Sequence, residues 1–256
     1  MNRKNLINSK EFGTLPHIQP GRPAESGQLI LERRWRILQK TVYPHLLAGR
    51  VIDLGCGNGA QTEVLVGHQV KVWGIDLFSP DQRDRPSFIT EGKFPFIVGD
   101  AMEIPIKSSS VDLVTSFEVL EHVENDHTAC QEVVRILKKG GGFFYTVPNR
   151  WWIFETHGAH IPHLSKIPWN RVPFLSYLPR SLHRRIAKAR NYTLSEALQL
   201  SGLSGLIPQQ WGYITAPMDI LKEGWIKRLL RNTLFKEDIT SIPIKAVNIF
   251  VFAIKS

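Results

Sequence analysis

The feature that most constrains the fold is a glycine-rich turn between a short apolar run and a helix-forming segment. Residues 51–62 read VIDLGCGNGAQT, with Gly55, Gly57 and Gly59 at alternating positions. The apolar run predicts a buried strand ending at Leu54, and a helix is expected directly after the last glycine. Glycines allow a tight turn and close approach to a ligand, and the first N–H groups of a helix lack partners within it. The segment therefore predicts a ligand-binding turn.

The spacing of the glycines separates this turn from two better known nucleotide-binding turns. It is G-x-G-x-G and not the G-x-G-x-x-G of dinucleotide-binding proteins. No G-K-[ST] follows it, as a phosphate loop for a nucleoside triphosphate requires. A triphosphate ligand is therefore disfavoured, and the pattern gives little support to a dinucleotide.

Short β-branched or aromatic runs alternate with segments long enough to be helices. The predicted strands cover residues 50–54, 70–75, 94–98, 111–117, 143–147 and 246–254. A helix is predicted over residues 128–139, with Lys138 and Lys139 in its last turn and Gly140 ending it. Strands that alternate with helices predict an α/β chain with a parallel, doubly wound sheet.

Two acidic residues follow the second and third predicted strands. Asp76 ends the second strand, where its carboxylate can accept hydrogen bonds from both ribose hydroxyls of a nucleoside. Asp100 follows the third strand and can accept a hydrogen bond from the exocyclic amine of adenine, against which Met102 can pack. Together with the glycine turn, these acids predict a site for an adenosine-containing ligand.

Residues 48–150 resemble the class I S-adenosylmethionine-dependent methyltransferases. The matching strings are DLGCGNG, GID, GDA, SVDLVTSFEVLEHV and LKKGGG, and within that superfamily the chain is most similar to the Methyltransf-11 branch, which includes ubiquinone and menaquinone methyltransferases. The resemblance implies an α/β, Rossmann-like doubly wound sheet of about seven strands, the last one antiparallel, with helical and loop cap insertions. It also implies S-adenosyl-L-methionine as cofactor and S-adenosyl-L-homocysteine as product.

The same resemblance implies a role for each cofactor-binding position. The three glycines would pass beneath the methionine part, Asp53 would contact or order its amino end, Asp76 would bind the ribose, and Asp100 with Ala101 the adenine. The complete predicted set is Asp53, Gly55, Cys56, Gly57, Gly59, Asp76, Leu77, Asp100, Ala101, Met102 and Phe117.

A second cluster, Glu118, Glu121 and His122, follows the fourth predicted strand, where open α/β sheets place their ligands. Its E-x-x-E-H spacing could hold a divalent cation through oxygen and nitrogen ligands, and ubiquinone O-methyltransferases and small-RNA 2′-O-methyltransferases use a similar cluster for metal. The same string also occurs in relatives that need no metal. We therefore favour no metal, with Glu121 and His122 shaping the site or capping a helix, and His122 as one candidate general base.

Residues 149–179 are rich in Trp, Phe, Pro and His and are typical of a rigid, aromatic-lined cap more than of a regular helix. In related methyltransferases the chain after the fifth strand covers the substrate. We therefore expect this cap to determine specificity, with His157 and His160 as further candidate catalytic bases. The alternative is that these histidines satisfy loop backbone while the aromatic residues form a small satellite core.

The chain carries 32 Lys or Arg against 23 Asp or Glu, and residues 150–240 hold 13 of the basic and 6 of the acidic residues. Within this part, one basic helix is predicted over residues 181–190, and Thr193 with Glu196 predicts a capping box at the start of the next helix. Another helix, predicted over residues 218–235, groups apolar side chains, flanked by Lys222, Lys227, Arg228 and Arg231. This pattern suits a helix that lies on an anionic membrane, although packing against the sheet edge is the more common explanation.

Cys56 and Cys130 are the two cysteines, which favours a reducing compartment, and the polar residues 1–12 lack the apolar core of a secretory signal. We therefore expect a cytoplasmic protein, with peripheral contact to a membrane as the alternative. The predicted organisation is an N-terminal extension over residues 1–26 and a methyltransferase domain over residues 27–256, with cap insertions at about 150–191 and 216–243. The sequence does not define an oligomeric state.

The expected function is S-adenosylmethionine-dependent O-methylation of a small hydrophobic or lipid-linked hydroxyl compound. One alternative is an RNA 2′-O-methyltransferase, but the chain shows no appended RNA-binding module, no Asn-Pro-Pro-Tyr motif and no Pro-Cys nucleophile. A nucleic-acid partner is therefore disfavoured. The other alternative is a noncatalytic partner protein that binds S-adenosylmethionine.

Overall fold

A computed structural model describes residues 28–78, 94–161, 167–218, 221 and 224–256. The N-terminal extension predicted over residues 1–26 lies outside the described residues. The strands are β1 (Val51–Leu54), β2 (Val72–Asp76), β3 (Phe96–Val98), β4 (Val111–Phe117), β5 (Leu137–Pro148), β6 (Leu206–Thr215), β7 (Ile239–Thr240) and β8 (Ala246–Lys255). The α-helices are α1 (Gln28–Thr41), α2 (Pro44–Leu47), α3 (Ala60–Gly67), α4 (Asp126–Ile136), α5 (Arg180–Ile186), α6 (Leu194–Leu203) and α7 (Trp225–Asn232).

All eight described strands form one sheet in the order β3-β2-β1-β4-β5-β8-β6-β7. The first five are parallel, and β8 runs antiparallel to both β5 and β6. This arrangement confirms the predicted doubly wound α/β sheet with an antiparallel last strand. The eighth strand is the short β7, which pairs with Tyr213 and Ile214 of β6.

The sequence patterns did not locate β6, because its apolar residues form no continuous run. Residues 208–210 read Pro-Gln-Gln, and several side chains in the first two thirds of the strand are exposed. A strand near the edge of a sheet with one face in water needs apolar residues on its other face only. The backbone of β6 is nevertheless fixed, because it pairs with β8 along most of its length.

Helices cover both faces of the sheet and divide the core into two layers. Alternate residues of a strand point to opposite faces. In β5, Phe143 and Tyr145 pack in the layer that contains Val133 of α4, whereas Phe144 packs in the layer that contains Leu38 of α1. Both faces of β5 are therefore buried, which explains why this strand reads as a continuous apolar run.

Two predicted helix ends were wrong. The helix α4 ends at Ile136, and Lys138 lies in β5, where its Nζ atom contacts the carboxylate of Asp112 in β4 at 2.6 Å. The helix predicted over residues 181–190 ends at Ile186, and the next residue, Ala187, forms a strand-like bridge with Ala159. In both places the chain leaves the helix because it pairs with another segment.

The predicted capping box of Thr193 and Glu196 is present at the start of α6. A helix also begins at Ala60, as predicted, directly after the glycine turn. The register of the parallel strands aligns Leu54 of β1 with Ile75 of β2 and Ser116 of β4. The carboxyl ends of these strands therefore meet at one edge of the sheet.

Candidate functional site

The glycine turn adopts backbone angles that require glycine. Gly55, Gly57 and Gly59 have φ angles of 73°, 55° and 85°, in the left-handed region that side chains disfavour. A Cβ atom on Gly55 would lie 2.2 Å from Cγ2 of Val119, and one on Gly59 would lie 2.1 Å from Cζ of Phe94. Backbone geometry and close packing thus both select glycine in this turn.

Asp76 holds the glycine turn against the end of β2. Its Oδ2 atom accepts a hydrogen bond from the N–H of Gly57 at 2.8 Å, and Oδ1 accepts one from Phe78 at 3.3 Å. An ionised carboxylate has about four acceptor positions, so these bonds leave capacity for ribose hydroxyls. Leu77 and Phe78 follow as exposed apolar side chains. Asp76 as the ribose ligand stays a prediction that this geometry accommodates.

Asp53 is buried beneath the turn, and both of its carboxylate oxygens are engaged. Oδ2 accepts a hydrogen bond from Thr62 at 2.7 Å, and Oδ1 accepts one from Thr115 at 3.1 Å. Burial raises the Asp53 pKa to about 6, although the two threonine hydrogen bonds act to lower it. Asp53 therefore ties β1 to α3 and β4. Its role toward the amino end of the cofactor stays a prediction.

The third predicted element lies directly after β3. Oδ1 of Asp100 accepts a hydrogen bond from the N–H of Met102 at 2.8 Å, which fixes the turn between them. Ala101 and Met102 are partly buried and pack against the core. Cys56 is buried, and burial raises the pKa of its thiol, so at neutral pH it is an uncharged packing residue.

Phe117 and Glu118 end β4 and both contact Arg34 of α1. The Arg34 guanidinium lies 5.4 Å from the centre of the Phe117 ring and forms an ion pair with Glu118. Asn248 also donates a hydrogen bond to Glu118, at 2.9 Å. Burial is the largest single influence and acts to raise the Glu118 pKa, but the interactions with Arg34, His157 and Asn248 together outweigh it and the pKa is lowered. Glu118 is therefore an ionised structural carboxylate.

Glu121, His122 and His157 form a second group, which we call the donor cluster. One ligand atom from each lies within 4.8 Å of the others. Oε1 of Glu121 is 3.7 Å from Nε2 of His157 and 4.0 Å from Nε2 of His122. The alternative metal cluster considered from the sequence contained Glu118. The structure pairs Glu118 with Arg34 and puts His157 of the cap in its place.

Burial shifts the pKa values of Glu121 and His157 in the donor cluster. Glu121 is completely buried, and neither carboxylate oxygen has a hydrogen-bond partner within the described part of the chain. Burial, reinforced by the charge of Glu118, raises the Glu121 pKa well above its ordinary value. Burial lowers the His157 pKa, which favours a neutral imidazole. Neutral imidazoles and a carboxylate are also the groups that hold transition-metal cations.

The cap after β5 has little regular structure, as predicted. Phe154 bridges to Pro173, and the Ser176 hydroxyl donates a hydrogen bond to the carbonyl of Trp152 at 2.6 Å. Glu155 and His183 are both buried, and their side chains contact each other at 2.6 Å. These contacts fold the segment back on itself, and its role as a cap over the substrate stays a prediction.

A cavity of about 300 Å³ lies in the cap. His157 lines this cavity and also belongs to the donor cluster. His160, the other predicted base of the cap, lines this cavity but is not part of the donor cluster. Among the described residues, the lining consists of Thr156, His157, Gly158, Ala159, His160, Ile167, Pro168, Trp169, Asn170 and Lys188.

Two residues near the site were not singled out from the sequence, Arg34 and Lys188. Arg34 follows Leu31 by three residues and precedes Leu38 by four, so it lies on the buried face of α1. A basic residue on a buried helix face was the sequence signal that could have identified it. Lys188 gave no comparable signal, because it belonged to a run of basic residues at 184–190.

The chain resembles known proteins over this same site. The Methyltransferase domain family matches residues 52–145. A ubiquinone biosynthesis O-methyltransferase from Nitrosococcus oceani is 30% identical over 176 residues, 62% of this chain and 68% of the relative. A probable S-adenosylmethionine-dependent methyltransferase from Mycolicibacterium smegmatis is 29% identical over 126 residues, 46% of this chain and 47% of the relative. The chain thus spans about half the length of the latter protein.

Solved structures show the same fold. An S-adenosylmethionine-dependent methyltransferase from Mesorhizobium loti superposes with a TM-score of 0.57 at 20% identity, covering 88% of this chain and all of the other. At this identity the likeness concerns the path of the backbone and not the chemistry of the site.

Proposed function

Because the chain belongs to the class I S-adenosylmethionine-dependent methyltransferases, we propose that it transfers the cofactor's methyl group to a hydroxyl oxygen of a small molecule. One observation carries the proposal. The glycine turn, Asp76 and Asp100 occupy consecutive strand ends, and Glu121 and His122 of the donor cluster follow the adjacent strand β4. A cofactor at the strand ends would therefore lie beside groups that can accept a proton.

Two findings support oxygen as the acceptor atom. The Nitrosococcus relative is named as an O-methyltransferase of ubiquinone biosynthesis. In addition, His157 lines the cap cavity and is favoured as a neutral imidazole, the form that can take a proton from a hydroxyl. Both also fit the expected hydrophobic or lipid-linked hydroxyl compound.

In the proposed reaction the acceptor oxygen attacks the sulfonium methyl carbon opposite to the sulfur. The oxygen–carbon bond forms while the carbon–sulfur bond breaks, and its electron pair stays on sulfur to give S-adenosylhomocysteine. The hydroxyl proton passes to His157. The protein aligns the two reactants and excludes water, and the cap supplies that enclosure.

A divalent cation is a second candidate component, favoured by the carboxylate oxygens of Glu121. Buried polar atoms without partners are rare, and a cation would satisfy both of them. Glu121, His122 and His157 would hold it, and they form a carboxylate and imidazole set that suits such ions. His157 would then be a ligand of the cation in place of the proton acceptor described above. A bound cation would lower the pKa of an acceptor hydroxyl near it.

Titration calorimetry with S-adenosylhomocysteine tests the cofactor site. We expect the wild type to bind it, and Asp76→Asn to weaken binding at least tenfold, or about 1.4 kcal/mol, because the amide cannot match a carboxylate as acceptor. Glu237→Gln, at an exposed position outside the site, is the matched control. Transfer of labelled methyl to hydroxylated aromatic compounds then tests catalysis. Binding without any transfer would favour the noncatalytic alternative.

We further propose that α7 contacts an anionic membrane surface. The predicted helix over residues 218–235 is shorter in the structure, and Lys227 is buried instead of flanking its apolar face, while Lys222 lies outside the described residues. Trp225, Ile226 and Leu229 are exposed by 74%, 53% and 53%, together with the cationic Arg228. Exposed aromatic and aliphatic side chains beside positive charge are typical of interfacial helices. No helix in the described residues is long and apolar enough to cross a bilayer.

Vesicle co-sedimentation tests this second proposal. We expect binding to vesicles that contain anionic phosphatidylserine and little binding to neutral phosphatidylcholine. The double variant Trp225→Ser, Leu229→Ser should lose binding while it retains affinity for S-adenosylhomocysteine. The matched control Ile207→Ser removes an exposed apolar side chain of β6 and should bind vesicles like the wild type. Concentration-dependent dimerisation that the double variant abolishes would instead assign this face to a second copy of the chain.

A further inference from the structure

The lining of the cavity in the cap contains a lysine and no acidic side chain among the residues that the structure describes. Lys188 supplies a positive charge, and no Asp or Glu stands beside it in that described lining. The other lining side chains include the apolar Ile167 and Pro168 and the indole of Trp169. A ligand with an apolar or aromatic body and a negative group would match this combination.

Lys188 differs from two other partly buried lysines, Lys138 and Lys255, in the pairing of its ammonium. The ammonium of Lys138 pairs with Asp112, and that of Lys255 donates to two backbone carbonyls. Lys188 is partly buried, yet no carboxylate or carbonyl of the described residues lies within bonding distance of its ammonium. An anionic ligand in the cavity would give this ammonium a charge-assisted hydrogen-bond partner.

The backbone fixes Lys188 at the cavity wall. Its N–H group lies 3.4 Å from the carbonyl oxygen of Gly158, and Ala187 bridges to Ala159. Two residues later, the N–H group of Arg190 donates to the carbonyl of Glu121. The segment that carries Lys188 is therefore tied both to the cap and to the donor cluster, which places the lysine in a defined position relative to His157.

We propose that Lys188 binds an anionic group, a carboxylate or a phosphate, of the methyl acceptor. The acceptor class is then an acidic hydroxyl compound whose ring packs in the apolar part of the cavity near Trp169. The negative group is held by Lys188 while the hydroxyl faces His157. This inference rests on the proposed function, because it identifies the cavity with the acceptor site.

Binding of paired probes tests the inference on the intact chain, with and without S-adenosylhomocysteine. The probes are 4-hydroxybenzoate, 4-hydroxyphenyl phosphate and the neutral 4-hydroxybenzamide. We expect at least one anion to bind ten times more tightly than the amide. Lys188→Met should reduce that ratio to about one, and Lys188→Arg should restore most of it.

Arg185→Met is the matched control, because Arg185 is exposed, lies outside the lining and is three residues from Lys188. It should keep the wild-type preference. Equal affinity for anion and amide, no binding of any probe, or a preference that survives in Lys188→Met would each overturn the inference. If the wild type binds S-adenosylhomocysteine but shows no preference for the anionic probes, the inference fails and the proposed function still stands. If the wild type fails to bind S-adenosylhomocysteine, the proposed function is contradicted. The measurements without S-adenosylhomocysteine would still show whether Lys188 confers the anion preference.

Discussion

The Nε2 atom of His157 lies 3.7 Å from the Oε1 atom of Glu121, and the two residues come from different parts of the fold. Glu121 follows β4 at the edge where the strand ends meet, whereas His157 belongs to the cap after β5. The contact joins the edge of the predicted cofactor site to the cavity in the cap. It therefore gives the cap a direct connection to the chemistry that we propose.

Removal of the His157 imidazole should reduce catalysis and leave cofactor binding intact. For His157→Asn we expect the rate of methyl transfer to fall by about 10²–10⁴-fold, the range for loss of a general base. Affinity for S-adenosylhomocysteine should change less than twofold. His45→Asn, an exposed histidine of α2, is the control. A variant with the wild-type rate would remove His157 from the mechanism.

The donor cluster should bind a divalent cation. Calorimetric titration of the wild type with Mn²⁺ should show one site, and Glu121→Gln should weaken it at least tenfold, because an amide is a poorer ligand than a carboxylate. Glu237→Gln, which removes a carboxylate from an exposed position elsewhere, is the control. Absence of Mn²⁺ binding to the wild type would leave His157 to act without a metal.

Two glycines that differ in surroundings should respond oppositely to alanine. Gly55→Ala forces a side chain into the left-handed region and against Val119, so we expect a loss of about 2–3 kcal/mol in unfolding free energy. A Cβ atom on Gly67, in α3, would meet no other atom within 4 Å, and Gly67→Ala should gain up to about 1 kcal/mol. Urea unfolding of both variants measures this. Equal effects would mean that the turn is not constrained as described.

Asp53 should make the protein less stable as the pH rises. Its folded-state pKa of about 6 exceeds the ordinary 3.8, so between these values the folded state binds more protons than the unfolded state. Stability is therefore lost from about pH 4 to pH 6, by about 3 kcal/mol for a shift of two pKa units. Urea unfolding of the wild type and Asp53→Asn from pH 4 to 8 isolates this contribution. The advantage of the variant should grow up to pH 6 and then level off, and parallel curves would contradict it.

The sequence alone determined the strands near the site, because each is a short apolar run bounded by turn residues that are its neighbours in the chain. An apolar run followed by Gly55, Gly57 and Gly59 has few backbone solutions, and the structure uses the left-handed angles that only glycine adopts readily. Asp76 and Asp100 lie at strand ends for the same reason, since each directly follows a short β-forming run. Alternation of strands and helices then led to the doubly wound sheet.

Only the tertiary structure decided which side chains meet. Sequence spacing grouped Glu118 with Glu121 and His122, but the approach of α1 brought Arg34 to Glu118 and the fold of the cap brought His157 to Glu121. Pairing between distant segments also ended two helices earlier than their patterns predicted, and it created β6 from a segment whose apolar residues form no continuous run. Such contacts depend on how separate elements pack, and no local pattern of residues encodes that packing.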